Sequence, residues 1–506
     1  MLMKRLRQIS AAVCFTLVTL LFLDFTGAIH LWLGWLAKIQ FLPAVLALNA
    51  GVIVFLVLLT LVFGRVYCSV ICPLGVFQDL AARFGHRRKK LPYAFSESKS
   101  WLRYGVLAVF LVLAAVFHAS AWLDPYAIYG RAANALLQPL WMWGNNVLAY
   151  FAERMNSYAF YSVEVWMKGA AVFAVSFVMI LAVAVLAWRG GRTYCNAVCP
   201  VGTVLGMLSR FSLFRITVDT SKCNGCTLCA RNCKASCIDA KAHRVDASRC
   251  VMCFDCLDKC SRGAIGYRFA YGKKAVRTEP VSAGRQKPVS DEGNGRRAFI
   301  AGTAVMFASA VSAQVAKKVE PVKMDGGLAD IIGKKEPVRA TPLTPPGSVG
   351  ARHMQAHCTA CQLCVSVCPN EVLRPSRRLD TFMQPYLSYE RGYCRPECTK
   401  CSEVCPAGAI LKISRADKSS IQIGHAVWVK DRCIPLTDGQ ECGNCARHCP
   451  AGAITMIPSD PSDPELLKIP AVDAERCIGC GACEYLCPAR PLSAIYVEGH
   501  EVHRVI

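Results

Sequence analysis

Thirty of the 506 residues are cysteines, and twenty-four of them fall into six short runs of four. Two runs lie mid-chain: Cys223, Cys226, Cys229 and Cys233 in "CNGCTLCARNC", then Cys250, Cys253, Cys256 and Cys260 in "CVMCFDCLDKC". Four more follow residue 350. They are Cys358, Cys361, Cys364 and Cys368; Cys394, Cys398, Cys401 and Cys405; Cys433, Cys442, Cys445 and Cys449; and Cys477, Cys480, Cys483 and Cys487. All four of these end in Cys-Pro, whereas Lys234 and Ser261 follow the last cysteines of the mid-chain pair. The first gap is one residue longer in the run starting at Cys394 and much longer in the run starting at Cys433.

A C-x2-C-x2-C-x3-C run wraps one loop around three irons of a cubane and points its fourth thiolate at a neighbouring cluster. The spacing therefore predicts six [4Fe-4S] clusters. Crossed ligation is expected in the middle pair: Cys223, Cys226 and Cys229 with Cys260, and Cys250, Cys253 and Cys256 with Cys233. Structural zinc would use paired knuckles separated by longer loops, and disulfide scaffolds are usually short chains without such tight runs. The repeated "CPAGAI" at Cys405–Ile410 and Cys449–Ile454 marks duplicated units.

Two further pairs have a different spacing. "GRVYCSVICPLG" places Cys68 and Cys72 four apart, and "GRTYCNAVCPVG" does the same for Cys195 and Cys199. On a helix each pair shares one face. Three roles stay open from the residues alone: an extra metal centre, redox-active disulfides, or a shaped turn. Each pair follows a long apolar run.

Those runs, Ile9–Trp35, Phe41–Phe63, Trp101–Leu123 and Gly169–Trp188, approach the ~20 residues that cross a bilayer core. The first is interrupted by Asp24. The loop Gly64–Ser100 has seven Lys/Arg against two acids, while Asp124–Lys168 has three of each sign. The positive-inside rule then puts the first loop and the N-terminus in the cytoplasm and the second loop outside. Both C-x3-C-P turns fall at cytoplasmic helix ends, so the two hairpins form a parallel internal repeat. A layer of about 30 Å is too thick for one electron hop, so a relay across it needs an additional carrier.

The expected architecture is an α-helical membrane bundle of four helices plus a fifth linking helix, with two α+β ferredoxin-like iron–sulfur domains. Residues 1–215 form the membrane domain, 216–271 a cytoplasmic two-cluster domain and 272–295 a basic linker. Residues 296–316, "RRAFIAGTAVMFASAVSAQ" and its flank, have paired arginines, an apolar stretch and a small-residue end. They read as a twin-arginine-like signal or fifth helix. Residues 317–350 read as a second linker and 351–506 as a periplasmic four-cluster domain. The formal charge of +23 shrinks when clusters of roughly −2 each are bound, and no stretch argues for nucleic acid.

His30 and His118 fall near the outer ends of membrane helices and are the candidates for binding a quinol. Asp24, Asp124, Tyr126 and Arg131 are weaker candidates on the same face. Trp141 and Trp143 suit an interfacial belt, Cys14 an apolar filler, and Cys237 has no obvious partner. There is no C-x2-C-H haem motif, P-loop or dinucleotide fingerprint.

The apolar hairpins, the two C-x3-C-P turns and the mid-chain clusters resemble the NapH/NosR-type membrane polyferredoxins. The arginine pair followed by four cluster motifs resembles the NapG/MauM-type periplasmic ferredoxins, so the chain looks like a fusion of both. The resemblance implies quinol oxidation at the bacterial inner membrane and delivery of electrons to a periplasmic reductase or carrier. It also implies that, after residue 350, the first run pairs with the fourth and the second with the third. No substrate-converting site is visible. A maturation or regulatory polyferredoxin that reduces metal, and a transmembrane thiol-redox conduit, are the alternative readings. The terminal acceptor and the oligomeric state are not legible.

Overall fold

The computed structural model describes residues 2–89, 93–117, 122–157, 159–165, 169–271, 332–460 and 462–506. The described residues up to Tyr271 and those from Lys335 to Ile506 form one compact unit. The expected linker 272–295, the arginine-led segment 296–316, most of 317–350 before Ile332, and His118 lie outside the described residues.

Eight helices matter for the site: α1 (Leu2–Leu23), α2 (Ala50–Phe63), α3 (Pro73–Lys89), α4 (Ser100–Phe117), α5 (Pro125–Ala132), α6 (Gln138–Arg154), α7 (Ala170–Gly190) and α8 (Pro200–Ser209). Among the described residues two helices, α1 and α7, are both long and apolar enough to cross a membrane; α2, α8 and the apolar part of α4 are shorter. The first apolar run breaks at Asp24, whose carboxylate accepts the N–H groups of Thr26, Gly27 and Ile29 and so caps a new short helix, Ala28–Leu33. The second run splits into Phe41–Leu46 and α2, with Leu48 in a left-handed conformation between them.

The stretch Asp124–Lys168 differs more. It was read as a loop, and its first part is a helix, α5, every residue of which is buried, packed between α1, α3 and α7. Asp124 caps α5 by accepting Ala127 N–H at 3.0 Å. One turn of wider π-helix, Ala133–Leu137, joins α5 to α6. Tyr126 and Tyr129 pack on Phe22 and Phe15 of α1. The faces of α1, α2, α4, α6 and α7 turned away from this core carry exposed large apolar side chains, among them Ile9, Phe55, Leu111, Trp141 and Phe177. So extended an apolar surface marks a site of interaction with lipid or protein.

The mid-chain cysteine segment is bracketed by strands β1 (Phe214–Val218) and β2 (Ile265–Phe269), antiparallel with Val218 opposite Ile265. The C-terminal region contains the antiparallel pair β3 (Ile421–Trp428) and β4 (Ile495–Val505) and two further hairpins. Its boundary lies earlier than residue 351. From Lys335 the chain runs along the domain, with Leu343 wholly buried and Arg339 clamped between Glu336, Glu484 and the Val497 carbonyl. This stretch was read as linker because it is rich in Lys and Pro; proline there costs nothing, since few of its N–H groups enter a ladder.

Arg339 and Glu484 are 5% and 2% exposed, so removing the cation strands a buried carboxylate. Arg339→Met should destabilise the C-terminal domain by about 3–5 kcal/mol, seen as a lower unfolding temperature by circular dichroism. Adding Glu484→Gln should recover part of the loss.

Candidate metal centres

In each of the six runs the third cysteine rides on a very short helix. Cys229 lies on Leu228–Arg231, Cys256 on Asp255–Lys259 and Cys364 on Leu363–Ser366. Cys401 lies on Lys400–Val404, Cys445 on Asn444–Arg447 and Cys483 on Ala482–Leu486. Where the spacing is the regular C-x2-C-x2-C, a left-handed residue precedes that helix: Thr227, Phe254, Gln362 or Gly481. The two runs with an altered first gap lack it, Thr399 and Gly443 having negative φ. The αL kink turns successive sulfurs to one side of the loop.

Backbone N–H groups then point at the last sulfur of four runs. Ala264 donates to Cys260 Sγ at 3.2 Å, Ile410 to Cys405 at 3.4 Å, Ala453 to Cys449 at 3.3 Å and Ala494 to Cys487 at 3.3 Å. Such donors favour the charged sulfur. Burial works the other way, pushing the Cys361 thiol up to about 12 and Cys445 up to about 11. A positively charged iron core beside them restores the thiolate form, so this donor set fits an iron–sulfur cluster. Among the described residues no three Cys, His, Asp or Glu side chains converge on a point that would hold a single metal ion.

The mid-chain pair has Cys233 in electrostatic contact with Cys253 and Cys256, as crossed ligation requires, and Cys229 with Cys223 and Cys226. Cys237, read as unpartnered, is in fact buried with its sulfur 3.5 Å from that of Cys233 and beside Cys250. The missing proline also has an explanation. Lys234 Nζ pairs with Asp255 at 3.0 Å and with Asp79 at 3.6 Å, a contact that proline could not make.

In the C-terminal region the pairing differs from the one the resemblance implied. Cys405 joins Cys358, Cys361 and Cys364, while Cys368 joins Cys394, Cys398 and Cys401. Likewise Cys487 faces Cys433 and Cys445, which both face Cys442, and Cys449 faces Cys477 and Cys480. Thus the first run pairs with the second and the third with the fourth. The reason is local: a hairpin, Leu373–Pro375 with Pro385–Leu387, folds the second run back on the first. The hairpin Ile454–Asp460 with Asp463–Val472 does the same for the last two. The two halves touch where Cys394 N–H donates to the Cys480 carbonyl at 2.9 Å.

The C-x3-C-P turns are brought together. Cys68, Cys72, Cys195 and Cys199 are all buried and in mutual electrostatic contact. Gly64 and Gly191, at φ of 77° and 69°, end α2 and α7 in conformations that side chains avoid. They also let the mid-chain ferredoxin approach: a Cβ on Gly64 would strike Met252, and one on Gly191 the Lys234 carbonyl.

At the far end, Asp24 also holds His30, Nδ1 to Oδ2 3.3 Å. Tyr126 is in electrostatic contact with Cys361 and Cys405, and a Cβ on Gly130 would strike the Cys361 carbonyl. Asn134 and Gln138 donate to the carbonyls of Gln362 and Ser366 at 3.2 Å and 3.0 Å. A cavity of about 240 Å3 lies in this seam, walled by Phe25, Asn134, Gln138, Phe173, Cys368 and Lys400 among others. Residues not singled out from sequence, Arg65, Gln78, Asp79, Arg192 and Lys418, turn out to line the sulfur sites. The arginines were visible in the repeated "GR" of both turns.

Two folded cysteine-rich units on a helical scaffold define an iron–sulfur polyferredoxin. A family model described as a 4Fe-4S binding domain matches residues 46–92 and 172–218, one copy on each C-x3-C-P repeat. Models of 4Fe-4S dicluster domains match 357–409 and 440–490, and 246–372. The ferredoxin-type protein MauM of Methylophilus methylotrophus is 32% identical over 157 residues, 29% of this chain and 67% of that protein. NapH of Escherichia coli is 28% identical over 244 residues, 46% of this chain and 72% of NapH. An uncharacterized protein of Methanocaldococcus jannaschii, MJ0750, is 25% identical over 275 residues, 53% of this chain and 98% of its own length. No solved structure matches significantly. The chain belongs to this family of ferredoxin-type proteins, a NapH-like polyferredoxin with MauM-type features, and its activity is electron transfer through 4Fe-4S clusters.

Lys418, 5% exposed, donates to the carbonyls of Arg395 and Cys398 and faces the Cys394 and Cys401 sulfurs. Losing a buried cation stabilises the oxidised, less negative cluster relative to the reduced one. Lys418→Met should lower one reduction potential by on the order of 50–100 mV, read by EPR-monitored redox titration, with the other signals unmoved.

Proposed function

We propose that the chain is a bacterial inner-membrane conduit that takes electrons from quinol and passes them through six [4Fe-4S] clusters to a periplasmic reductase or carrier. The observation that carries this reading is the pair of contacts at the two ends of α1. Near its start, Lys4 pairs with Asp255 and Asp258 of the mid-chain ferredoxin, at 3.1 Å each. Just past its end, the Thr26 carbonyl accepts from Lys400 of the C-terminal ferredoxin at 2.8 Å. Twenty-two helical residues rise about 33 Å, close to the ~30 Å of a hydrocarbon core. One ferredoxin at each end of such a helix suits carriage of electrons across the layer. The exposed apolar faces of the scaffold and the basic loop Gly64–Ser100 support a membrane setting with residues 216–271 in the cytoplasm. The arginine-led segment 296–316 would then take the chain to the periplasmic side.

In this reading the twenty-four cysteines of the six runs are the cluster ligands, and bound clusters supply one-electron carriers. The chain buries them, aims N–H groups at their sulfurs and sets local charge, and these act on each potential. Quinol oxidation releases two electrons and two protons. The seam cavity beside Cys368 has room for a quinol ring, with Asn134, Gln138 and Lys400 as polar contacts. His30 is the proton acceptor in this scheme: Asp24 holds its Nδ1, and its buried Nε2 has no hydrogen-bond partner among the described residues.

Anaerobically purified protein in lipid should lose part of its visible iron–sulfur absorbance when a reduced quinol is added. His30→Phe should slow that bleaching at least tenfold while dithionite still reduces every cluster. Clusters that respond to dithionite but never to quinol would refute the quinol assignment.

A further inference from the structure

The six runs do not account for the four cysteines of the repeated turns, and the surroundings of those sulfurs are as constructed as any in the molecule. Each motif position has its counterpart at a constant offset: Gly64 and Gly191, Arg65 and Arg192, Tyr67 and Tyr194, Cys68 and Cys195, Cys72 and Cys199, Gly75 and Gly202. The arginines cross over. Arg65 donates to the Cys195 carbonyl at 3.1 Å, and Arg192 to the Cys68 carbonyl at 2.7 Å. Each also reaches a sulfur of its own repeat, Cys68 Sγ at 3.8 Å and Cys195 Sγ at 3.9 Å. Gln78 donates to Cys195 Sγ at 3.1 Å and Gly202 N–H to Cys199 Sγ at 3.3 Å. Everything aimed at these sulfurs is a donor, as at the six cluster loops.

We propose that Cys68, Cys72, Cys195 and Cys199 are thiolate ligands of a seventh iron–sulfur group, shared between the two repeats and seated between the two ferredoxin domains. The charge around the site argues for it. Arg65 is wholly buried, and its remaining partners are neutral, Asn196 Oδ1 and the Ser248 carbonyl. Among the described residues no carboxylate pairs with it. The other arginine must share Asp79 with Arg7 and Lys234. Buried cations need a counter-charge nearby, and a four-thiolate iron–sulfur group carries net negative charge. A pair of disulfides or four neutral thiols would leave Arg65 uncompensated.

The location gives the group work to do. On one side the turn carrying Cys195 abuts Lys234, next to Cys233, through the Arg192 N–H to Lys234 carbonyl bond of 2.9 Å. On the other side Tyr67 and Tyr194 face both these sulfurs and Asp124, close to Tyr126 and thus to Cys361. Here one electron enters as Fe(III) becomes Fe(II) and leaves by the reverse step, supplied by one neighbouring cluster and accepted by the other. No bond is made or broken. This deepens the proposed conduit and depends on it for the role, not for the presence of the metal.

The test uses the full chain, purified anaerobically with 57Fe. Six cubanes hold about 24 irons; a seventh binuclear group raises this to about 26 and a seventh cubane to about 28, and Mössbauer spectra separate the two. Cys68→Ser with Cys195→Ser should remove only that increment, leaving the ferredoxin-type spectra in place. If the double variant does not fold, mass spectrometry of the wild type after alkylation of free thiols still decides. A wild-type count near 24, zinc in place of the extra iron, or Cys68 and Cys72 recovered as a disulfide would overturn the assignment. Extra iron with no response to quinol would leave the seventh group standing and sink the quinol-driven role.

Discussion

Asp79 of α3 stands among three cations from three parts of the chain: Arg7 of α1, Arg192 of the second turn and Lys234 of the mid-chain ferredoxin. Burial would raise a carboxyl; the arginine and lysine charges overcome that and hold Asp79 well below the usual carboxylate range. A buried carboxylate bound this way is a strong constraint, since removing any partner strands a charge. It fixes α1, the repeat interface and the ferredoxin in one register. Every other placement follows from that, including the height of the sulfur turns along α1 and the docking of Met252 against Gly64.

The two repeats are alike in the backbone and unlike in charge. Where the first has Asp79, the matching position of the second is Gly206, packed against Arg103. One arginine of the symmetric pair therefore has a carboxylate and the other does not. The oxygens that hold the unpaired arginine are all neutral, those of Asn196, Ser248 and Cys195, and the proposed iron–sulfur group would supply the missing negative charge.

Much of the chemistry was legible in the sequence because thiolate spacing is local. A run such as "CTACQLC" carries its own loop geometry, and the structure adds the αL residue and short helix that the spacing demands. The approach of Cys233 to Cys253 and Cys256, the contact that crossed ligation would need, was legible for the same reason. What could not be read was anything set by packing. The pairing of the last four runs depends on two hairpins whose strands contain prolines and weak alternation, so pattern gave no warning. Burial of "PYAIYGRA" went unseen because a short segment with one arginine reads as loop. Cys237 seemed spare because only packing brings its sulfur against Cys233, four residues back, and against Cys250, remote in sequence. Lys234 looked like a flaw in a motif until its carboxylate partners were visible.

The resulting picture is of one continuous core in which sulfur sites succeed each other from the mid-chain ferredoxin, through the turns, to the C-terminal domain. Its central claim is that electrons pass along this chain from one side of a lipid layer to the other. The most direct measurement uses sealed vesicles containing the reconstituted protein, ferricyanide trapped inside and dithionite added outside. The account requires the trapped ferricyanide to be reduced at a rate proportional to the protein present. Ferricyanide that stays oxidised while the clusters facing the dithionite bleach would contradict it.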